Sequence, residues 1–238
     1  MKDRILIAIG GGEIKSKATL KIDEYIANLV KSRTEGRPTG LFIGTASHDS
    51  MPYFNSFRKT YTSNFDIKAD CALLCYNEMN MEKIAAKIEK ADFIYVGGGD
   101  TVFMLNKWAE AGLDKLILNA YRRGTVLCGL SAGAICWFEN MYTDSDLVNK
   151  DGGYSFYDGL GVLDGICAPH FDDRVSDFNE AFIEKGYKEA YGIENLSALV
   201  FKNEVLQGSL SCGGKSYVIR NNNGAVESYL VKTLTDLP

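Results

Sequence analysis

The stretch Thr125-Val126-Leu127-Cys128-Gly129-Leu130-Ser131-Ala132-Gly133 joins an apolar run to a serine that stands between two glycines. The apolar run predicts a buried strand, and the small residues after it predict a sharp turn into a helix. In the pattern Gly-x-Ser-x-Gly, such a turn holds the serine hydroxyl above the carboxyl end of the sheet. The stretch therefore predicts a nucleophile elbow with Ser131 as the reactive residue. A capping serine in a tight turn is the purely structural alternative.

Similar apolar runs precede this stretch, and segments with the apolar spacing of helices separate them. They predict strands at residues 4–10, 40–44, 72–75, 93–96 and 125–128. Continuous apolar strands separated by helices are typical of a parallel sheet that is covered on both faces.

After residue 197 the predicted pattern changes from alternating strands and helices to successive short strands. Short strands are predicted at residues 198–201, 216–220 and 226–231, and Asn221-Asn222-Asn223-Gly224 is a hairpin turn signal between the last two. We therefore predict an α/β three-layer sandwich with a mainly parallel sheet and C-terminal antiparallel strands. No linker or repeat interrupts the chain, so residues 1–238 are predicted to form a single domain.

The composition of the 238-residue chain restricts the partners that we expect. The formal net charge is −5 and Lys and Arg do not cluster, so we expect no nucleic-acid partner. No apolar run approaches the roughly 18 residues of a membrane span, and the run after Met1 lacks the form of a secretory signal. We expect a cytoplasmic protein without a membrane partner, whose six cysteines are reduced.

A reactive serine needs a general base, which is normally histidine. The chain contains only two histidines, which also excludes a histidine-rich metal site. His170 follows an apolar stretch in Cys167-Ala168-Pro169-His170-Phe171, so it is predicted to lie at a strand end, as Ser131 does. His48 lies in a polar turn, where a structural role is the better interpretation. His170 is therefore the predicted base.

The imidazole of such a base is normally oriented by a carboxylate. The residues between Ser131 and His170 offer six candidates, namely Glu139, Asp144, Asp146, Asp151, Asp158 and Asp164. The residue pattern alone does not rank them, because each could equally be a solvated loop charge.

Two glycine-rich loops follow predicted strands. Gly97-Gly98-Gly99-Asp100 opens a helix at the sheet edge predicted for Ser131, so its amides can supply a second oxyanion donor. A glycine triplet can also bind phosphate, but the lysine and Ser/Thr of a P-loop are absent. Gly10-Gly11-Gly12-Glu13 lacks the third glycine of a dinucleotide fingerprint, so no nucleotide site is predicted there.

Three motifs occur in a fixed order: Val96-Gly97-Gly98-Gly99-Asp100-Thr101, Gly129-Leu130-Ser131-Ala132-Gly133-Ala134 and Pro169-His170-Phe171. In order and spacing they resemble the dipeptidase E and cyanophycinase family of serine peptidases. The resemblance implies a flavodoxin-like, glutamine-amidotransferase-like α/β fold with serine in place of the cysteine of amidotransferases. An α/β-hydrolase, which also uses this elbow, has its histidine late in the chain, whereas here it follows the serine by only 39 residues.

Carried over residue by residue, the resemblance implies Ser131 as nucleophile and His170 as general base. It implies Asp146 as the orienting carboxylate, with Asp144 as the alternative. The oxyanion hole would consist of three backbone amides, those of Gly98, Gly99 and Ala132. No metal or organic cofactor is required.

The resemblance also has a departure that concerns specificity. Family members often carry P-E-G or D-E-G in a later strand loop, where this chain has Lys202-Asn203-Glu204-Val205. Dipeptidase E relatives favour an N-terminal aspartyl residue, and cyanophycinases cleave a β-aspartyl-arginine polymer. The altered loop leaves the preferred substrate side chain open.

The motifs and the resemblance together predict a serine peptidase that hydrolyses small peptides or isopeptides, aspartyl dipeptides among them, through an acyl-enzyme. The alternatives are a catalytically silent binding or regulatory module on the same fold and an esterase or amidase for non-peptide substrates. The distance between Ser131 Oγ and His170 Nε2 distinguishes the silent-module hypothesis from the two enzyme hypotheses, because general-base catalysis requires a hydrogen bond between these atoms.

Overall fold

The computed structural model describes residues 2–76, 79–146 and 152–235, which form two β-sheets with helices packed against them. The described strands are β1 (Ile5–Ile9), β2 (Thr39–Ile43), β3 (Lys68–Ala72), β4 (Phe93–Val96), β5 (Val126–Leu130), β6 (Phe138–Thr143), β7 (Ser155–Asp158), β8 (Leu163–Pro169), β9 (Glu189–Ile193), β10 (Ser197–Lys202), β11 (Val205–Ser211), β12 (Ser216–Asn222) and β13 (Ala225–Leu230). The helices are α1 (Leu20–Arg33), α2 (Met51–Phe65), α3 (Met81–Lys90), α4 (Thr101–Ala111), α5 (Leu113–Arg122), α6 (Ala132–Ile135) and α7 (Phe171–Glu184).

The first sheet has seven strands in the order β11-β10-β1-β5-β4-β2-β3. β1 to β5 pair in parallel, so their carboxyl ends lie at one edge of the sheet. β10 pairs antiparallel with β1, and β11 pairs antiparallel with β10. The predicted parallel sheet is confirmed, and the first of the predicted C-terminal strands extends it.

Alternating side chains of the central strands enter two different apolar cores, because successive residues of a strand face opposite sides of the sheet. In β1, Ile5, Ile7 and Ile9 pack with α1 and α2, whereas Leu6 and Ala8 pack with α3, α4 and α5. Burial on both faces is the reason that these strands are continuously apolar. The helices on the two faces complete the predicted three layers.

The second sheet has six strands in the order β13-β12-β9-β8-β6-β7. β8 lies between β6 and β9 and is parallel to both. One face of this sheet packs on α7 through a phenylalanine-rich core. The sequence predicted the hairpin of β12 and β13, and Asn223 and Gly224 form its turn with positive φ angles of 56° and 93°. It did not predict that a separate sheet forms here.

Two element boundaries differ from the prediction. The helix predicted after the Ser131 turn is short, since α6 ends at Ile135 and Phe138 already begins β6. The apolar run predicted as a strand at 72–75 largely follows β3, because the amides of Leu74 and Cys75 donate to the Asp49 carboxylate. Within the described residues, none of the helices is both long and apolar enough to cross a membrane.

Candidate active site

Loops from both sheets meet at the carboxyl ends of their parallel strands. The loops after β1, β4 and β5 come from the first sheet, and the loops after β8 and β9 come from the second. The carboxyl edge of parallel strands is where α/β proteins assemble their sites. The residues predicted from the sequence, Ser131 and His170, lie in two of these loops.

Ser131 lies in the turn between β5 and α6 with φ 54° and ψ −110°, a conformation that side-chain-bearing residues rarely adopt. Its amide donates to the carbonyl oxygen of Ile9 at 2.8 Å, which ties the turn to the end of β1. A strained backbone at the serine is what the predicted turn requires.

The two glycines of the turn are required by close backbone packing. A Cβ atom on Gly129 would lie 2.2 Å from the carbonyl oxygen of Gly133. A Cβ atom on Gly133 would lie 2.2 Å from the carbonyl oxygen of Val96. Only residues without a side chain allow α6 to begin this close to β4 and β5, which explains the Gly-x-Ser-x-Gly spacing.

The structure brings the two predicted reactive residues together. His170 follows β8 in a left-handed conformation, and its amide donates to the carbonyl oxygen of Gly10 at 3.1 Å. Its Nε2 atom lies 2.9 Å from Ser131 Oγ, within hydrogen-bond distance. This contact is the geometric requirement for general-base activation of a serine.

The side chain that holds the imidazole is an amide. His170 Nδ1 lies 2.7 Å from Asn195 Oδ1, in the loop that follows β9. The sequence-based prediction was a carboxylate between Ser131 and His170, and Asn195 is neither a carboxylate nor within that segment. The signal that could have found this residue is its position just after Ala190-Tyr191-Gly192-Ile193, a short run that ends a strand parallel to β8.

The predicted carboxylates have other partners. Asp146 Oδ1 accepts a hydrogen bond from Tyr157 at 2.7 Å, and Asp144 Oδ2 lies 3.8 Å from the buried guanidinium of Arg174. The structure therefore does not place either of them as the orienting group of His170, since Asn195 occupies that place.

The remaining carboxylate candidates lie on β-strands or outside the described residues. Glu139 Oε2 accepts from the amide of Gly165 at 3.4 Å. Asp158 and Asp164 are exposed on β7 and β8. Asp151 lies outside the described residues.

The glycine-rich loop after β1 packs against the imidazole and the amide. A Cβ atom on Gly11 would lie 2.1 Å from Asn195 Oδ1 and 2.4 Å from His170 Nδ1. The carbonyl oxygen of Gly11 also accepts from the amide of Leu196 at 3.0 Å. The loop is therefore glycine-rich because it seats the His170–Asn195 pair, an alternative that the sequence did not suggest.

The glycines after β4 line the other side of Ser131. Gly98 packs so closely that a Cβ atom on it would lie 3.4 Å from Ser131 Cβ. Its amide donates to Tyr53 Oη at 3.2 Å, and burial raises the pKa of Tyr53 to about 12, so this phenol stays neutral. Gly99 has φ 140°, and a Cβ atom there would lie 2.1 Å from the carbonyl oxygen of Ala46.

A cleft of about 430 Å³ opens above Ser131 and His170. This volume is within the range of sites for small ligands. The walls are largely apolar and include Ile14, Pro52, Tyr53 and Leu130. Exposed side chains of opposite charge, Glu13 and Lys15, also line it.

The other nucleophilic or basic candidates do not enter this cleft. His48 stacks on Phe103 with ring centroids 4.3 Å apart and lines a separate cavity. Cys128 and Cys136, on either side of the elbow, are buried, and burial raises the pKa of both thiols well above the usual value. Within residues 2–76, 79–146 and 152–235, no three His, Cys, Asp or Glu side chains are grouped to hold a metal ion.

A serine hydroxyl bonded to an imidazole, which a third polar side chain holds in turn, defines the class of serine hydrolases. Comparison with known proteins agrees with this class and narrows it. Residues 6–208 match the model of peptidase family S51. The chain therefore belongs to peptidase family S51 and is a serine-type peptidase.

Relatives and solved structures are consistent with this assignment. The chain is 34% identical to the uncharacterized peptidase YgaJ of Bacillus subtilis, over 89% of this chain and 90% of that protein. It is 28% identical to Peptidase E of Salmonella arizonae, over 71% of this chain and 70% of the relative. A crystal structure of a peptidase from an acI-B1 actinobacterium has the same fold, with a TM-score of 0.71 at 16% identity over 97% of this chain and 95% of the other.

Proposed function

We propose that this peptidase hydrolyses small peptides or isopeptides through an acyl-enzyme on Ser131. The observation that carries the proposal is the chain of contacts from Ser131 Oγ to His170 Nε2 at 2.9 Å and from His170 Nδ1 to Asn195 Oδ1 at 2.7 Å. His170 removes the hydroxyl proton as Ser131 Oγ attacks the scissile carbonyl. The same imidazole then donates that proton to the leaving amine, and water releases the acyl group.

We assign the oxyanion hole to the backbone amides of Ala132 and of the Gly98-Gly99 loop. Ala132 begins α6 directly after the nucleophile, and Gly98 packs against Ser131 from the β4 side. In the free enzyme the Gly98 amide donates to Tyr53 Oη. In the proposed mechanism, the carbonyl oxygen of the substrate takes over this donor as charge develops on it.

Two features of the cleft support small peptide substrates. Its volume of about 430 Å³ suits a ligand of a few residues. Lys15 and Glu13 supply one positive and one negative side chain for the charged ends of a short peptide. Aspartyl dipeptides are the first substrates to test, because the resemblance to dipeptidase E implies them.

We also propose that the protein is cytoplasmic and that its reaction requires no metal or organic cofactor. The location is supported by six free cysteines, since such thiols are typical of a reducing compartment. The absence of a cofactor requirement follows from the proposed steps, each of which uses a side chain or a backbone amide.

The test is Ser131→Ala, with Ser63→Ala on the exposed surface of α2 as the matched control. Purified variants are given a panel of aspartyl and other dipeptides, isopeptides and simple esters, and the products are identified by mass spectrometry. We expect Ser131→Ala to lower kcat/KM at least about 1000-fold, because the nucleophile is lost, while Ser63→Ala stays unchanged.

Three results would contradict the proposal. Retained turnover by Ser131→Ala would exclude Ser131 as nucleophile. Cleavage of esters alone by the wild type would favour the esterase alternative. No turnover of the panel, together with no fluorophosphonate label on Ser131, would favour a silent binding module.

A further inference from the structure

The amide that holds His170 is itself held by two carboxylates. Asn195 Nδ2 donates to both oxygens of Asp172 at 3.1 Å and to Asp173 Oδ2 at 2.8 Å. The backbone amide of Asn195 also donates to Asp172 Oδ1 at 2.8 Å. The first turn of α7 therefore clamps the side chain and the backbone of one residue in the loop after β9.

These contacts decide which way the Asn195 amide faces. An ionised carboxylate only accepts hydrogen bonds, so Nδ2 must face Asp172 and Asp173 and Oδ1 must face His170. An amide oxygen also only accepts, so the proton on the imidazole must be on Nδ1. Nε2 then presents its lone pair to Ser131 Oγ, which is the tautomer that a general base needs.

Without the acidic pair, the amide can rotate by half a turn and present its NH₂ group to the imidazole. A donor in that place favours the opposite tautomer, with the proton on Nε2, which cannot accept the proton of Ser131. A carboxylate next to His170 would not have this weakness, because both of its oxygens accept. An asparagine in this place therefore needs a second group to fix its orientation.

We infer that Asp172 and Asp173 are positioning residues, which hold the Asn195 amide in the orientation that sets the catalytic tautomer of His170. They act only through Asn195 and do not touch the substrate. The alternative is that they are ordinary first-turn acids, which stabilise the amino end of α7. The kinetic part of the inference rests on the proposed function, and the structural part does not.

The decisive experiment is a rescue. Asp172→Ala combined with Asp173→Ala frees the amide, and we expect kcat/KM to fall about tenfold to a hundredfold with little change in KM. Adding Asn195→Asp to this double variant restores an acceptor that cannot be rotated out of place, so activity is expected to return to within a few-fold of the wild type. Asn195→Asp alone stays impaired, since its carboxylate repels the acidic pair. Glu82→Gln, which neutralises a first-turn acid of α3, is the control and leaves kcat/KM unchanged.

The pH profile of kcat/KM separates positioning from helix stability. In the triple variant, a carboxylate beside the imidazole favours the charged form, so the acid limb of the profile moves to higher pH. In the double variant, the loss of two negative charges moves that limb slightly to lower pH. Glu13 and Lys15 line the same cleft as His170, and Glu194, next to Asn195, accepts a hydrogen bond from Tyr217; all of these groups are unchanged throughout the series.

Nitrogen-15 NMR of the imidazoles tests the tautomer without any substrate. The chain has two histidines, so a His48→Asn variant assigns the His170 signals. We expect a protonated Nδ1 in the wild type and a mixture of tautomers in the double variant.

The inference is overturned if the double variant keeps the wild-type tautomer, or if its kcat/KM and acid limb match those of the wild type. It is also overturned if the folded triple variant is no more active than the double variant. A wild type that is inactive on every substrate refutes the proposed function, whereas the NMR result still decides the tautomer.

Discussion

The strained backbone at Ser131, the proposed nucleophile, gives a test in which stability and function oppose each other. Ser131 has φ 54° and ψ −110°, a combination that is found almost entirely at glycine. We predict that Ser131→Gly is more stable than Ser131→Ala. Both variants lack the hydroxyl and its contact with His170, so the difference between them reports the backbone and the Cβ atom alone.

The magnitude follows from two opposing contributions. Holding a side-chain-bearing residue in such a conformation costs about 1–3 kcal/mol, and glycine removes this cost. Glycine also has more freedom in the unfolded chain, which destabilises the folded state by about 0.5–1 kcal/mol. The net advantage of Ser131→Gly is about 1 kcal/mol, which corresponds to about 2–4 °C in Tm for a chain of this length.

The same two substitutions at Ser56 provide the matched control. Ser56 lies inside α2, and its hydroxyl donates to the carbonyl oxygen of Pro52 at 3.0 Å, a contact that both variants lose. In a helix the glycine variant should be less stable than the alanine variant by about 1 kcal/mol. The sign of the difference is therefore opposite at the two positions.

Urea unfolding followed by circular dichroism, with calorimetry for Tm, measures all four variants. If Ser131→Gly is no more stable than Ser131→Ala while the Ser56 pair shows the helical order, the elbow is not strained. Such a result would refute the view that the hydroxyl of Ser131 is held in place at a cost in stability.

Two further predictions concern the wall of the site and the core behind it. Gly98→Ala should cost less stability than Gly99→Ala, because its Cβ atom would lie 3.3 Å from the Leu130 carbonyl oxygen, a contact that a shift of a few tenths of an ångström relieves, yet the methyl group beside Ser131 should lower kcat/KM about tenfold or more. Gly99→Ala should instead cost more than about 2 kcal/mol, given its φ of 140° and its contact with Ala46, and equal stability losses in calorimetry would contradict this distinction. Asp23, which accepts hydrogen bonds from Thr19 and Tyr61, has its pKa raised from 3.8 to about 6 by burial. A raised carboxyl pKa stabilises the fold below pH 3.8, and this stability is lost as the pH rises through about 6. The free energy of unfolding of the wild type relative to Asp23→Asn should therefore fall by about 2 kcal/mol between pH 4 and pH 7, whereas a pH-independent difference in urea unfolding would exclude the shift.

Much of the site is encoded in short segments of the sequence. The apolar run before Ser131 and the two glycines beside it predict a strand, a turn and an exposed hydroxyl, because strand burial and the freedom of glycine are local properties. The position of His170 at a strand end is encoded in the same way. The hairpin at Asn223 and Gly224 is another local feature, since both residues adopt the positive φ angles that its turn needs.

The partner of His170 depends on the tertiary structure. Asp146 is nearer to the elbow in sequence than Asn195 is, but it bonds to Tyr157 instead. Asn195 reaches the imidazole because β9 pairs in parallel with β8, which brings the loops after the two strands to the same edge. The pairing of strands is a long-range contact, and the hydrophobic pattern of a single strand does not specify its neighbour.

The chain by itself thus determined the α/β class and selected Ser131 and His170 as the candidate reactive residues, since each follows from a local pattern of burial, turn geometry or scarcity. Only the tertiary structure decided that an asparagine holds the histidine, and that two aspartates hold the asparagine. It also decided why Gly11 has no side chain, because a Cβ atom there would overlap Asn195 and His170. These contacts join residues from three separate loops, and their distances depend on strand order and register, which the sequence pattern of any one segment does not contain.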